Sequence, residues 1–99
     1  MSTNVEVIEK TKLKIAEPKK WKVIVLNDDY TPIDFVIVML MDIFKHDEDA
    51  AYDITMDVHE NGSGLAGIYD FEIAETKSIE ASKMARENGF PLQIKIAEE

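Results

Sequence analysis

The chain contains no cysteine, only four glycines, three prolines and one tryptophan. Without cysteine there is no disulfide framework, no thiolate zinc site and no cysteine nucleophile. The longest apolar run, residues 35–41, has seven residues, whereas a membrane-spanning helix needs about 20. The first residues contain no apolar signal region. We therefore expect a soluble cytoplasmic protein, in keeping with a reducing compartment, that has no contact with a membrane.

Positive charge is also scarce, because 20 Asp and Glu stand against 11 Lys and Arg and give a formal net charge of -9. The imbalance lies after the first 20 residues, where six basic and seventeen acidic side chains are found. An acidic domain repels phosphate backbones, so we do not expect nucleic acid as a partner. The same field would attract a cationic ligand, such as a peptide with a free ammonium group.

A chain of 99 residues fits a single domain. Residues 1–20 alternate only weakly between apolar and polar side chains and end in Pro18-Lys19-Lys20. This pattern predicts a flexible N-terminal extension over residues 1–20, followed by a folded domain over residues 21–99.

Residues 21–26 are rich in Val and Ile and predict a buried strand. Thr31 is expected to cap the first helix, with Pro32 at the first helical position and the Asp34 carboxylate two residues later. Helical spacing places one apolar set on one side of this helix and a second set on the opposite side. The first set is Ile33, Val36, Ile37, Leu40 and Phe44, and the opposite set is Phe35, Val38, Met39 and Ile43. A helix that is apolar nearly all round is expected to be largely buried or to wall a pocket.

A second helix is predicted to begin near residues 46–49 and to end at Asn61-Gly62-Ser63-Gly64. A strand is expected over residues 65–73, and then a third helix over residues 74–88. The small-residue face of this helix, which should allow close packing, is Ala74, Ser78, Ala81 and Ala85. In the final strand, residues 92, 94 and 96 are expected to point inward. The residues expected on one side of the middle strand are Leu65, Tyr69, Phe71 and Ile73. The order β-α-α-β-α-β predicts a small three-stranded sheet with three helices packed on it. The fold class that we expect is α/β (an α+β sandwich), with an antiparallel sheet.

Asn27, Asp28 and Asp29 lie between the first strand and the first helix, so two rigid elements fix their position. Their oxygens are hydrogen-bond acceptors, which suit an ammonium group or a metal ion. The same residue types are common in turns and helix caps, so spacing alone leaves ordinary turn chemistry as an alternative. His59 lies near the end of the second helix, where it could be either a surface side chain or a ligand.

The motifs of common enzyme classes are missing, including a Gly-rich phosphate loop, HExxH and G-x-S-x-G. Asp29 and His59 could form an acid–base pair, but no nucleophile or cofactor site accompanies them. Two adjacent acids are a weak indication of metal binding. We therefore expect a binding domain rather than an enzyme, with no catalytic residue, no cofactor and no metal.

The segment Val23-Ile24-Val25-Leu26-Asn27-Asp28-Asp29-Tyr30-Thr31-Pro32, followed by Phe35-Val36, resembles the ClpS family, the bacterial adaptors of the N-end rule. Further ClpS-like segments follow in the same order: Val58-His59, Ala74-Glu75-Thr76-Lys77, and Ala85-Arg86-Glu87-Asn88 with Pro91-Leu92. The resemblance covers about residues 21–97. It implies an adaptor that binds proteins through a large hydrophobic N-terminal residue (an N-degron). The adaptor would deliver them to the ClpA-type unfoldase of the ClpAP protease.

The resemblance also implies roles for individual residues. Those matching the polar rim that binds the N-terminal amine are Asn27, Asp28, Asp29, Thr31 and His59. Those matching the hydrophobic pocket are Ile33, Val36, Thr55, Val58 and Leu92. Glu72 and Lys77 would lie on the face that docks on the N-terminal domain of the unfoldase, and the N-terminal extension would engage the unfoldase during delivery.

Two positions depart from the family pattern. Thr55 stands where a Met or another larger apolar residue is expected at the pocket mouth, and Ile33 stands where Met is common. The Thr55 hydroxyl is expected to bond to the carbonyl four residues earlier. Two alternatives stay open: a ClpS-fold module that docks on an unfoldase without recognising cargo, and a metal-assisted hydrolase.

Overall fold

The computed structural model describes residues 19–99, so all but the last two residues of the predicted extension lie outside the described part of the chain. The elements are β1 (Lys20–Leu26), α1 (Ile33–Asp42), α2 (Glu48–Asn61), β2 (Ser63–Asp70), α3 (Phe71–Glu87) and β3 (Gln93–Glu98). This is the predicted order β-α-α-β-α-β. The three strands form one antiparallel sheet, and the predicted α+β architecture is confirmed.

The central strand of the sheet is β1, which pairs with β2 on one side and β3 on the other. Val23 and Val25 of β1 are fully buried, as the run of β-branched residues predicted. They join a single core with apolar side chains from all three helices. The small side chains at one face of α3, Ala74, Ala81 and Ala85, are fully buried and allow this helix to pack closely. This confirms the predicted small-residue face, in which Ser78 is half-buried.

The start of α1 differs from the prediction by one residue. Pro32, not Thr31, is the N-cap, and no side chain caps the helix. Thr31 therefore lies one residue before the N-cap, and its hydroxyl donates to Oδ2 of Asp28 at 2.7 Å. Met39, of the second apolar set, is fully buried, and Val36 and Leu40 of the first set are buried as well. Both apolar sides of α1 are therefore partly buried, as expected for a helix that is apolar nearly all round.

The predicted strand over residues 65–73 is wrong at both ends. Gly62 ends α2 in the left-handed conformation with φ 90°, and Ser63 already pairs with Leu26 in the sheet. At the other end Asp70 is the N-cap of α3, so Phe71 and Ile73 belong to the helix. Phe71 packs edge-to-face on Trp21 with ring centroids 5.0 Å apart, which is why an apolar residue follows the strand directly.

A β-bulge separates two residues that the alternation placed on one side of β2. Val23 pairs with Gly67 and Ile24 with Leu65, so Ala66 has no partner on β1. Ala66 is fully buried, whereas Leu65 is exposed and Tyr69 is half-buried on the opposite side. The expected common face of Leu65 and Tyr69 is therefore wrong, because one inserted residue reverses the alternation.

Gly64 lies where β2 passes closest to α2, and we predict that Gly64→Ala destabilises the domain. A Cβ atom there would be 2.7 Å from Cγ2 of Val58 and 3.0 Å from the carbonyl oxygen of Ile54. Overpacking of this kind costs about 1–3 kcal/mol, measurable as a lower midpoint of urea unfolding. Ser63→Ala, at the exposed neighbouring position, is the matched control and should change stability by less than about 0.5 kcal/mol. Equal midpoints for the two variants would contradict the close packing.

Candidate functional site: an acceptor-rimmed cleft

A cleft of about 240 Å³ lies between the β1–α1 loop, the first turn of α1 and the C-terminal half of α2. Its lining residues are Asn27, Asp28, Asp29, Thr31, Ile33, Val36, Thr55, Val58 and His59. Nine of the ten residues that the sequence suggested for the rim and the pocket thus share one cleft. The tenth, Leu92, is buried just before β3 and does not line it.

The two ends of the cleft are joined by the backbone. The N–H of Asn27, directly after β1, donates to the carbonyl of Gly62 at the C-cap of α2, at 2.9 Å. This hydrogen bond holds the Asn27-Asp28-Asp29 loop beside the last turn of α2, where His59 lies. Residues that are 32 positions apart in the sequence, such as Asn27 and His59, therefore line the same cleft.

Asp28 builds the loop. Its Oδ1 accepts hydrogen bonds from the backbone N–H groups of Tyr30 (2.8 Å) and Thr31 (2.7 Å), and its Oδ2 accepts from the Thr31 hydroxyl. A carboxylate has about four lone-pair sites, so three are already used within the loop. Ordinary turn chemistry, one of the two alternatives for these acids, is thus the observed state of Asp28.

The charge state of Asp28 follows from these contacts. Partial burial acts to raise the pKa of the carboxyl, but the hydrogen bonds from Thr31 and Tyr30 outweigh it. The positive charge of Arg86 adds to them, and together they hold the pKa below its ordinary value. Arg86 is itself fixed, because it donates to the carbonyls of Phe90 and Leu92 at 2.8 Å. Sequence reasoning gave Arg86 no role, and only its place in a family-like segment singled it out.

The other polar residues of the rim are differently placed. Within residues 19–99 the side chains of Asn27, Asp29 and His59 form no hydrogen bond with the protein, and all three are exposed. Asn27 and Asp29 can therefore offer oxygen acceptors to a ligand, and the His59 ring can offer either a donor or an acceptor nitrogen. An acceptor-rich rim of this kind suits a ligand that carries several N–H donors.

The interior of the cleft is apolar. Val36 and Val58 are buried, and Thr55 is only 2% exposed, so these side chains form its floor. The Thr55 hydroxyl donates to the carbonyl of Ala51 at 2.7 Å, as predicted, and so needs no partner from the cleft. Ile33 is 39% exposed and lies at the mouth. Of the two positions that depart from the family pattern, Ile33 is at the opening, and the expected place of Thr55 at the mouth is wrong.

Glu72 and Lys77 lie on α3, away from the cleft, and border a shallow depression with Ile73, Thr76 and Glu80. Glu72 is exposed, but Lys77 is partly committed within the molecule. Its Nζ donates to the carbonyl of Ile43 at 2.8 Å and lies 5.5 Å from the centre of the Tyr69 ring. Lys77 thus fixes the end of α1 as well as contributing to this face.

Over residues 19–99, no three His, Asp or Glu side chains come together in a way that could hold a metal ion. In the same part of the chain no helix has the length and apolar composition needed to cross a membrane.

Comparison with known proteins gives a consistent result. The family model of the ATP-dependent Clp protease adaptor protein ClpS matches residues 16–95. The ClpS adapter protein of Clostridium acetobutylicum is 48% identical over 89 residues, covering 90% of this chain and 88% of that protein. That of Campylobacter jejuni is 48% identical over 97 residues, covering 95% and 96%.

A solved structure has the same fold: ClpS2 of Agrobacterium tumefaciens bound to L-phenylalaninamide, with a TM-score of 0.82 and 42% identity over 84% of this chain and all of that one. Fold, cleft and relatives together define a small α/β adaptor domain of an ATP-dependent protease. The chain belongs to the ClpS family of ATP-dependent Clp protease adaptor proteins.

The contacts of Asp28 predict a pH-dependent loss of stability in Asp28→Ala. At neutral pH the variant should be less stable by about 0.5–2 kcal/mol, the usual effect of losing a carboxylate that accepts backbone N–H groups at a turn. Because the folded pKa is depressed, this stabilisation is present above about pH 4 and lost as the pH falls through the folded pKa. Urea unfolding at a series of pH values measures the difference. Asp29→Ala is the control, because the Asp29 carboxylate accepts no hydrogen bond within residues 19–99. A gap in stability between wild type and Asp28→Ala that does not narrow as the solution is acidified would contradict the argument.

Proposed function

We propose that the cleft binds the first residue of proteins that begin with a large hydrophobic side chain, and that the domain delivers these proteins to an ATP-dependent Clp protease. The observation that carries the proposal is the contrast within the cleft. Within residues 19–99 the side chains of Asn27, Asp29 and His59 form no hydrogen bond at the rim, while Val36 and Val58 line an apolar interior. The related ClpS2 binds L-phenylalaninamide, an aromatic side chain beside a free amine.

The energetics of the cleft support this assignment. A free α-amino group has a pKa of about 7.7–8.0, so it is mostly cationic at neutral pH and offers three N–H donors. Each hydrogen bond to a charged group contributes about 1.5–3 kcal/mol, and burial of one Leu or Phe side chain adds about 1.5–3 kcal/mol. After the entropic cost of association, two or three such contacts give binding in the micromolar range or modestly tighter. An adaptor that must release its cargo needs affinity of this order.

The rim residues divide into two groups in this proposal. Asn27, Asp29 and His59 bind the ammonium group directly. Asp28 and Thr31 hold the loop through their mutual hydrogen bonds, and Asp28 retains about one lone pair for the ligand. A negative charge from Asp29 and the depressed pKa of Asp28 keep the rim anionic at neutral pH.

We predict that acetylation of the peptide amine weakens binding at least tenfold, because it removes the positive charge and two donors. The measurement is fluorescence anisotropy with Leu- and Phe-initiated peptides beside their N-acetylated forms. Asp29→Asn should weaken binding of the free peptides by a similar factor without changing stability. Asp57→Asn, an exposed position of α2 outside the cleft, is the matched control. Equal affinity for free and acetylated peptides would exclude cargo recognition and leave a module that docks on the protease alone.

Delivery requires a second surface, and we place it at the α3 depression bordered by Glu72 and Lys77. Exposed Glu72 and the apolar side chain of Ile73, which is 48% exposed, offer a mixed polar and apolar contact. The partner proposed for this face is the N-terminal domain of a ClpA-type unfoldase in the cytoplasm. Charge reversal at Glu72 should weaken docking and leave peptide affinity unchanged, because the depression and the cleft share no lining residue.

The floor of the cleft sets which side chains fit. Thr55→Met would extend a longer side chain into the cleft and crowd ligands that are branched at Cβ. We therefore expect the ratio of Leu-peptide to Ile-peptide affinity to rise in Thr55→Met. Thr55→Val keeps the shape of the side chain and removes only the hydroxyl, so it is the control and should keep the wild-type ratio. An unchanged ratio in Thr55→Met would transfer the selective role to another lining residue, with Ile33 at the mouth the first to test.

A further inference from the structure

One side chain of α3 holds the segment that joins α3 to β3. Arg86 lies in the last turn of α3, and its Nη1 atom donates to the carbonyls of Phe90 and Leu92, both at 2.8 Å. We call residues 88–92 the α3–β3 connection. Because one nitrogen donates to two carbonyls that are two residues apart, Arg86 fixes the path of the connection as well as its position.

The end of α3 supports the same arrangement. Gly89 adopts the left-handed conformation with φ 79°, which turns the chain away from the helix. The N–H of Phe90 then donates back to the carbonyl of Ala85 at 2.9 Å. The hydrogen bond from Arg86 to Leu92 extends this fixation to the residue directly before β3, and Leu92 is itself only 1% exposed.

The α3–β3 connection leads directly to the start of the loop that carries the acidic rim. We call residues 27–32, between β1 and α1, the rim loop. Gln93, the residue after Leu92, is the first residue of β3 and pairs with Leu26, the last residue of β1. Asn27 follows Leu26 in the chain. The position of Leu92 is therefore passed through a single strand pair to the first residue of the rim loop.

The α3–β3 connection also contacts the other end of the rim loop, where α1 begins. The ring of Phe90 packs edge-to-face on the ring of Phe35 in the first turn of α1, with centroids 4.9 Å apart. Both rings are half-buried against the core. Phe35 lies between Ile33 and Val36, which line the cleft. An aromatic contact of this kind stabilises beyond the apolar area that it buries, and here it holds the start of α1.

The charge of Arg86 acts on the same loop. Partial burial acts to raise the pKa of Asp28, the hydrogen bonds from Thr31 and Tyr30 lower it, and the positive charge of Arg86 lowers it further. Arg86 is not one of the residues that line the cleft. It therefore favours the ionised carboxylate that organises the rim loop without occupying the space of a ligand.

From this geometry we propose that Arg86 is a positioning residue of the amine-binding rim. It fixes the α3–β3 connection, and the connection in turn holds both ends of the rim loop that carries Asn27, Asp28 and Asp29. This role rests on the proposed function of the cleft, and it involves no contact between Arg86 and the cargo. Affinity for an N-terminal residue is thus set partly by a side chain 57 or more positions away in the sequence, on a different element.

The first test measures the affinity of Leu- and Phe-initiated peptides by fluorescence anisotropy in three variants. Arg86→Gln removes the charge, whereas Arg86→Lys keeps it on a single nitrogen with three N–H donors, enough for both carbonyls. Lys83→Gln, one turn earlier on α3, is the matched control, because Lys83 is exposed and has no hydrogen bond or ion pair in the described part of the chain. Arg86→Gln should weaken binding about fivefold or more, Arg86→Lys by less than about twofold, and Lys83→Gln not at all.

Wild-type affinity in Arg86→Gln would overturn the proposal. Phe90→Leu provides a second variant, because it keeps Arg86 and removes the ring contact with Phe35. It should also weaken peptide binding. Circular dichroism checks that every variant is folded. If Arg86→Gln does not fold, Phe90→Leu decides, and unchanged affinity in that variant refutes the role of the connection.

The second test separates positioning of the rim loop from a general loss of stability. Arg86→Gln is combined with Asp28→Asn and, separately, with His59→Ala. If Arg86 acts through the rim loop, its substitution should cost about threefold less affinity in the Asp28→Asn background, and its full cost should remain in His59→Ala. Equal costs in both backgrounds would refute the proposal.

A spectroscopic signature accompanies this cycle. The backbone N–H groups of Tyr30 and Thr31 donate to Asp28. Their amide chemical shifts should therefore change in Arg86→Gln and stay unchanged in Lys83→Gln. Shifts that change equally in both variants would assign the effect to the general charge of α3 and contradict the proposal.

N-acetylated peptides distinguish failure of this proposal from failure of the proposed function. If acetylated and free peptides bind the wild-type protein equally, the cleft does not recognise the amine, and both proposals are wrong. If only free peptides bind and Arg86→Gln retains wild-type affinity for them, the cleft is retained and the role of Arg86 alone is rejected.

Discussion

The arrangement of the site depends on one backbone hydrogen bond, from the N–H of Asn27 to the carbonyl of Gly62. It joins the end of the central strand to the C-cap of α2 and so brings the acidic loop beside His59. Gly62 can accept this contact because it adopts φ 90°, a conformation that turns the chain from α2 directly into β2. Without that tight turn, the polar rim would be two separate surface segments, and neither segment alone could surround an ammonium group.

The acidic loop shows how one residue type serves two purposes. Asp28 accepts hydrogen bonds from the backbone of its own turn, while in the described part of the chain the side chains of neighbouring Asn27 and Asp29 form none. The turn and binding interpretations of this segment are therefore not exclusive, because the turn made by Asp28 is what presents its neighbours. An amine-binding rim needs acceptors that are held in place and that have no other hydrogen-bond partner. The Asp28 carboxylate organises the loop and so holds the acceptors of Asn27 and Asp29 in place.

The sequence predicted most of this fold and much of the cleft, and the failures have physical causes. Element order, the buried β1 and the small-residue face of α3 follow from local periodicity. The Thr31 cap was wrong because α1 begins one residue later than predicted, with Pro32 as its N-cap, and Thr31 belongs to the loop that Asp28 organises. The predicted common face of Leu65 and Tyr69 on β2 was wrong because the bulge at Ala66 depends on pairing with β1. The local alternation of apolar and polar residues does not encode that pairing. Family resemblance identified all nine residues that line the cleft. It did not show that Leu92 lies outside the cleft or that Lys77 donates to the Ile43 carbonyl, because both depend on packing between distant segments.

The α1 helix links the stability of the domain to its binding surfaces. Val36, Met39 and Leu40 are buried in the core, while Ile33 at the mouth of the cleft and Val38 are exposed. Burial of apolar surface contributes about 25 cal/mol per Å². The exposed surface of these side chains therefore contributes no burial free energy to the stability of the free protein. A ligand that covers them recovers that free energy as binding. The apolar pattern around α1 is thus accounted for by the core on one side and, in the proposed function, by the cargo side chain bound in the cleft.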